Sequence, residues 1–307
     1  MTQFHHIPIM LKEVLELLAP ERGGIFVDGT LGGGGHSSEI LRRGGTLIAL
    51  DRDDEAIKES TRRFESEGFS GYTIVKSNFH DAASVLDELG VESIDGALLD
   101  LGISSHQIDD PERGFSYRFD GKLDMRMDES GGMTAYDVVN GYSEDELVKI
   151  LFEYGEERFA KKIASAIVRE RSKQPIETTL RLAELVKAST PEFYHRQGHP
   201  AKKTFQAIRI EVNGELDGLS EALESIAARI RSGGRFAVLT FHSLEDRIVK
   251  QTFRLMCTDC ICDKSLPVCV CGHKATAKSI GKSKPTNKET NDNPRAASAT
   301  LRVIEKL

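Results

Sequence analysis

The chain has 307 residues, 39% of them hydrophobic and 29% charged, with a formal net charge of −7. That is enough for one large domain or two ordinary ones, and no apolar run approaches the roughly 20 residues a membrane span needs. The opening MTQFHHIPIMLKEV has no basic region followed by a long apolar stretch, so a secretory signal is not expected and a cytoplasmic location is.

Strand and helix alternate through the first hundred residues. Apolar runs at 25–27, 46–50, 72–75 and 94–99 are separated by helical patterns at 36–43, 53–67 and 81–89. That rhythm predicts βαβ units and a parallel sheet. Residues 104–131 are polar and turn-rich. The pattern from about 143 to 212 is helical, at Glu144–Phe152, Glu157–Arg171, Thr179–Ala188 and Ala201–Asn213. Alternation returns with a helix near 215–231, a strand at Arg235–Phe241 and a helix at Leu244–Met256. A loop is expected over 257–295, then a last strand at Ala299–Ile304. The expected fold class is α/β, a doubly wound Rossmann-like sheet with an inserted helical domain. Residues 1–103 and 213–307 would form the core and 104–212 the insertion.

The first strand end is the most informative point. Ile25-Phe26-Val27 ends on Asp28, five glycines follow within seven residues (Gly29, Gly32, Gly33, Gly34, Gly35), and His36-Ser37-Ser38-Glu39 leads into a helix. A Gly-rich turn feeding a helix start is a ligand-binding device, because glycine admits close backbone approach and the helix start presents unpaired N–H groups. A P-loop would need Gly-Lys-Ser/Thr, but Gly35 is followed by His36. A dinucleotide fingerprint fails because position 37 is Ser where the third glycine belongs. Asp28 would also repel a pyrophosphate. It suits a ligand with a cationic end, such as S-adenosylmethionine, which has an ammonium, a sulfonium and no phosphate. The second strand ends on Asp51, placed to accept hydrogen bonds from two ribose hydroxyls. Either acid alone serves equally well as a helix cap.

Further strand ends add candidates. The third gives Ser77-Asn78-Phe79, where the aromatic ring can lie against an adenine or serve as an ordinary core residue. The fourth gives Asp100-Leu101-Gly102-Ile103-Ser104-Ser105. Beside the switch point of the sheet, Asp100 is the best-placed carboxylate for catalysis. His242 follows the fifth strand, as a lining residue or a buried hydrogen-bonded one. Charge is uneven as well: residues 158–209 hold 12 Lys/Arg against 4 Asp/Glu, a surplus of 8 on an acidic chain. Lys161, Lys162, Arg169, Arg171, Lys202 and Lys203 are the candidates for a polyanion-binding surface.

With these residues in place, the chain closely resembles the bacterial S-adenosylmethionine-dependent methyltransferases that modify N4 of a cytidine in 16S ribosomal RNA. The matching segments are HIPIML at 6–11, VDGTLGGGGHS at 27–37, LDRD at 50–53, LLDLGISSHQID at 98–109 and ERGFSYRFDGKLDMRMD at 112–128. They continue with YGEERFAKKIA at 154–164, FQAIRIEVNGEL at 205–216, TFHSLEDRIVK at 240–250 and NPRA at 293–296. The resemblance covers nearly the whole chain. It implies cofactor contacts at Gly34, Gly35, His36, Asp51, Phe79, Asp100 and Gln107, the last on the resemblance alone, and a partner in the 16S rRNA of the small ribosomal subunit.

The N4 amine of cytosine is a poor nucleophile because its lone pair is delocalised. An acceptor such as Asp100 would bind an N4 hydrogen and favour a pyramidal nitrogen. C5 methylation would instead call for a cysteine nucleophile, and no Cys precedes Cys257. Ser104, Ser105 and the 112–128 loop are candidates to hold the base; Arg113, Arg118 and Arg126 are candidates to contact phosphates or are solvated members of a structural loop. A non-catalytic rRNA-binding assembly factor on the same fold would be expected to lose the cofactor acids. Asp28, Asp51 and Asp100 are all present.

All five cysteines lie between 257 and 271: Cys257, Cys260, Cys262, Cys269 and Cys271, with His273 nearby. An odd number without an export signal is not a disulfide framework. The spacing permits a four-ligand zinc site chosen from six candidates, or a reduced cysteine loop.

Overall fold

The computed structural model describes residues 8–196, 198–263, 266 and 268–307, the side chain of Ser105 excepted. His6 and Ile7 of the first matching segment lie outside them. Two compact units are present: one combines the chain up to Gly102 with Gly218–Leu307, and the other is Ile103–Asp217.

In chain order, the first unit begins with α1 (Leu11–Leu18), β1 (Ile25–Asp28), α2 (Gly35–Arg42), β2 (Thr46–Asp51), α3 (Asp54–Ser66), β3 (Tyr72–Lys76), α4 (Ala82–Glu88) and β4 (Ile94–Asp100). The second unit holds α5 (Ser105–Asp109), α6 (Ala135–Gly141), α7 (Glu144–Glu153), α8 (Ala160–Arg171), α9 (Thr179–Ser189), α10 (Glu192–His195) and α11 (Lys202–Asn213). The first unit resumes with α12 (Leu219–Arg229), β5 (Ile230–Thr240), α13 (Ser243–Met256), β6 (Ala277–Ser283), α14 (Asn287–Asp292) and β7 (Thr300–Lys306). No helix among the described residues is long and apolar enough to cross a membrane.

The sheet runs β3-β2-β1-β4-β5-β7-β6. Strands β1 to β5 are parallel, while β7 is antiparallel to both β5 and β6. Strand order reverses between β1 and β4, the switch point at which ligands bind in such sheets. Because their strands are parallel, Asp28, Asp51 and Asp100 all come out at the same edge. This is the expected doubly wound α/β sheet, with the helical unit following the fourth strand.

Side-chain alternation explains why both faces are covered. Val27, Ile48, Leu50, Leu99 and Val238 face one core with α4, α12 and α13. Phe26, Leu47, Ala49, Leu98 and Leu239 face another with α1, α2 and α3. A strand buried on both faces reads as a continuous apolar run, as these do. The second unit has its own core, built from α6, α7, α8, α9 and α11 with Phe115, Leu123, Met125 and Met127 of the preceding loop. That loop is clamped by Asn213, whose side chain accepts from the Met127 amide at 2.8 Å and donates to the Met125 carbonyl at 2.7 Å.

One expectation fails. The 257–295 stretch is not all loop, since it contains β6 and α14. β6 reads Ala-Lys-Ser-Ile-Gly-Lys-Ser and pairs only with β7. Lysines on an edge strand discourage further pairing along its open side, and they also erase the apolar alternation that would reveal a strand.

Candidate active site

The loop after β1 is built around Asp28. Its side chain is only 2% exposed. One oxygen accepts from the Ser37 hydroxyl at 2.6 Å, and the other from the Thr30 amide at 3.1 Å. Burial is the main reason its carboxyl is pushed up to about 6, with Asp51 adding a smaller repulsion. Gly34 takes φ +71° at the start of α2, where a side chain would be strained and would meet Ser60 and Phe64. A Cβ on Gly35 would meet Pro8 at 2.3 Å, so this glycine lets the 8–10 segment close over the helix start.

Asp51, at the end of β2, orders the same loop. Its carboxylate accepts from the Gly32 amide at 2.7 Å and from the Asp53 amide at 2.9 Å. Burial raises its pKa against these hydrogen bonds. Its two oxygens offer about four lone-pair sites and the amides of Gly32, Asp53 and Arg52 take three of them, so room for a ribose hydroxyl remains beside the loop-holding role the structure adds. Phe79 opens a short 3-10 turn after β3, half-buried, its Cβ directly beneath Gly29. No Cβ fits at Gly29, because it would lie 2.4 Å from Leu99 and 2.9 Å from Phe79.

Asp100 ends β4. Its Oδ1 is enclosed and has no hydrogen-bond partner among the described residues, although 29% of the side chain stays open. Burial, then repulsion from Asp28 and Glu245, pushes its carboxyl up to about 8. His36, 5% exposed on the first turn of α2, brings Nε2 to 3.6 Å from Asp100. Nothing in the sequence singles out Thr30, yet its hydroxyl accepts the Asp100 amide hydrogen at 2.6 Å.

His242 caps α13 in a reciprocal arrangement with Glu245. Both side chains are buried, and Nε2 lies 2.9 Å from Glu245. Of the two roles open to His242, the structure shows this structural one, and it brings in Glu245, another residue that sequence reasoning misses.

In the second unit, Ser104 and Gln107 form the capping box of α5, Ser104 accepting from the Gln107 amide and the Gln107 side chain accepting from the Ser104 amide. Ser105 begins that helix, and its side chain lies outside the described residues. Arg113 departs from the phosphate-contact expectation. It is 3% exposed and donates to the carbonyls of Arg126 and Met127. Arg126 is held in a two-point ion pair with Asp124 at 2.9 and 2.7 Å. Arg171 donates to the carbonyls of Val139 and Tyr142, and Lys203 to that of Glu156 at 2.9 Å. Arg118 and Lys202 remain exposed. Lys161, Lys162 and Arg169 line one open depression on α8 together with Ser165, Leu185 and Ser189.

A description of the MraW methylase family matches residues 3–307. The chain belongs to that family. It is 50% identical over 310 residues to the ribosomal RNA small subunit methyltransferase H of Symbiobacterium thermophilum, covering 99% of this chain and 97% of that one. Identity to the protein of the same name from Pelobacter propionicus is 50% over 315 residues, covering 100% of both. Among solved structures, an rRNA methylase from Streptococcus thermophilus is 13% identical, with 97% and 93% of the two chains covered and a TM-score of 0.40.

The methylase depends on S-adenosylmethionine, and its residues fit that cofactor. Three carboxylates at one sheet edge are raised by burial. A sulfonium and an ammonium beside them would relieve that cost. The Oδ1 of Asp100, without a hydrogen-bond partner among the described residues, is open to a donor that none of those residues supplies.

Proposed function

We propose that this enzyme methylates the N4 exocyclic amine of a cytidine in 16S rRNA of the small ribosomal subunit, in the cytoplasm. The observation that carries the reading is Asp100, a carboxyl at the switch point of the sheet, held near 8, with an enclosed oxygen that has no partner among the described residues. Two relatives at 50% identity over nearly their whole length carry a small-subunit rRNA methyltransferase name, which supports the choice of RNA.

The cofactor would supply the methyl group from a sulfonium, whose departing thioether is neutral and needs no acid. Asp28 and Asp51 hold its binding loop and offer acceptors on that edge. Asp100 is largely protonated in the free enzyme at neutral pH and becomes a carboxylate once positive charge lies beside it. In that form it accepts a hydrogen bond from N4, favours a pyramidal nitrogen and takes the proton that N4 loses. Its amide is fixed by Thr30, so the acceptor is held in place before the base arrives. No covalent intermediate is needed, and the first 256 residues contain no cysteine to form one.

The second unit, from Ile103 to Asp217, is the RNA-recognition part in this reading. Lys161, Lys162 and Arg169 share one open depression, and Lys202 is exposed at the start of α11, where an anion would offset the helix dipole. Phe119, 46% exposed beside the exposed Arg118, offers a stacking surface to an unpaired base. The 16S rRNA from small subunits incubated with enzyme and cofactor should yield N4-methylcytidine on digestion to nucleosides and mass spectrometry. Recovery of 5-methylcytidine, or of no methylated nucleoside, would overturn the proposal.

A further inference from the structure

We infer that the connection between α13 and β6 is a zinc-binding knuckle, with one tetrahedral divalent ion held by Cys260, Cys262, Cys269 and Cys271. Their sulfurs all lie within 4.8 Å of one another. The separations are 3.4 Å for Cys260 to Cys269, 3.6 Å for Cys269 to Cys271, and 3.9 Å for both Cys262 to Cys269 and Cys260 to Cys271. A tetrahedral site with zinc–sulfur bonds of about 2.3 Å has sulfur–sulfur edges of about 3.8 Å. Four sulfurs this close enclose a single ion and leave no room for a multi-iron cluster. All four are free thiols.

The other two candidates are engaged elsewhere. His273 Nε2 lies 2.9 Å from the Leu255 carbonyl. Cys257 closes the end of α13 and packs against the core of the first unit. Backbone amides do approach the cage: Val270 N–H donates to Cys262 Sγ at 3.3 Å and His273 N–H to Cys271 Sγ at 3.4 Å. Such donors stabilise thiolate ligands from outside the metal shell.

Hydrogen bonds tie the two ends of the segment together, from the Thr276 amide to the Met256 carbonyl and from the Ala275 amide to Asp259, but its middle has little else to hold it among the described residues. Between Cys257 and Thr276 there is no helix or strand among the described residues. Its large apolar side chains face outward, with Ile261 53%, Val268 70% and Val270 76% exposed. A connection of this length without a core or secondary structure is unusual unless something else orders it, and a closed four-thiolate site does so.

Metal analysis of the full chain purified without chelator should find stoichiometric zinc. Cobalt exchange should give intense thiolate-to-cobalt charge transfer and the visible bands of a tetrahedral ion. Zinc should be lost in C260S/C262S and in C269S/C271S, and retained in C257S. Chelation of the wild type should expose the 257–276 segment to limited proteolysis, with protection restored by zinc alone. This last experiment needs no variant to fold. Zinc-free protein that binds none on titration, zinc retained by both double variants, or disulfide-linked cysteines in protein purified under reducing conditions would each overturn the inference.

Discussion

One hydroxyl joins the two strand ends that carry the buried acids: Thr30 accepts the Asp100 amide hydrogen at 2.6 Å and points its own hydrogen toward Asp28 at 3.4 Å. The loop after β1 and the end of β4 are therefore held as one piece. Thr30→Val preserves the shape and strands the Asp100 amide, which should cost about 1–3 kcal/mol. Chemical denaturation should show that loss, and calorimetry should show weaker cofactor binding. Thr30→Ser should restore most of both, and if Val and Ser behave alike the hydroxyl has no such role.

Cofactor affinity should depend on pH in a direction set by Asp100 and Asp28. Their carboxyls sit at about 8 and about 6 in the free enzyme. A cation beside them lowers both, so binding releases protons below those values. Affinity should therefore rise from pH 6 to about 8 and then level off, the upper part of the rise vanishing in Asp100→Asn. S-adenosylhomocysteine, which lacks the sulfonium charge, should show a shallower rise. Calorimetry in buffers of different ionisation enthalpy counts the protons directly, and a flat pH profile would remove the carboxylates from cofactor binding.

The same shifts carry a stability consequence. An acid raised well above its unfolded value binds more protons folded than unfolded across the interval between the two. Stability due to Asp100 therefore falls as pH rises from about 4 to about 8. Asp100→Asn should raise the melting temperature of the free enzyme at pH 8 while removing activity. An unchanged or lower melting temperature would mean that Asp100 is not held at a cost.

Asp51→Ala should weaken cofactor binding by roughly 1.5–3 kcal/mol, the value of a missing charged acceptor. RNA binding should change little. Because Asp51 also holds the Gly32 amide, hydrogen exchange over residues 29–35 should speed up in the variant. Unaltered cofactor affinity would reduce Asp51 to a loop residue.

What is legible in the sequence is local. The Gly-rich turn, the acids at Asp28, Asp51 and Asp100, and the apolar strands are contiguous patterns, and each strand buried on both faces leaves an unmistakable run. Thr30 is not legible, because its partner is 70 residues away. Arg113 and Arg126 look like phosphate contacts for the same reason. Their partners are carbonyls and Asp124 within a loop whose path is set by Asn213, far along the chain. β6 escapes a reading of the sequence because an exposed, lysine-bearing edge strand carries no apolar alternation.

The basic segment separates into two groups. Reversing Lys161 and Lys162 to Glu should lower RNA affinity and flatten its salt dependence, by close to one log unit per log salt for each phosphate no longer bound. Arg171→Ala should instead destabilise the second unit, since it removes donors from two helix-end carbonyls, and should leave the salt slope intact. Filter binding over a salt series distinguishes the two, and identical behaviour would mean that α8 offers no RNA surface.

The most direct test of the account is the single-turnover rate of tritiated methyl transfer to small subunits from cells lacking the enzyme. Wild type and Asp100→Asn should be compared at saturating cofactor and equal folded fraction. The rate should be lower by orders of magnitude in the variant, with the wild-type label recovered in N4-methylcytidine. A near-normal rate in Asp100→Asn would contradict it.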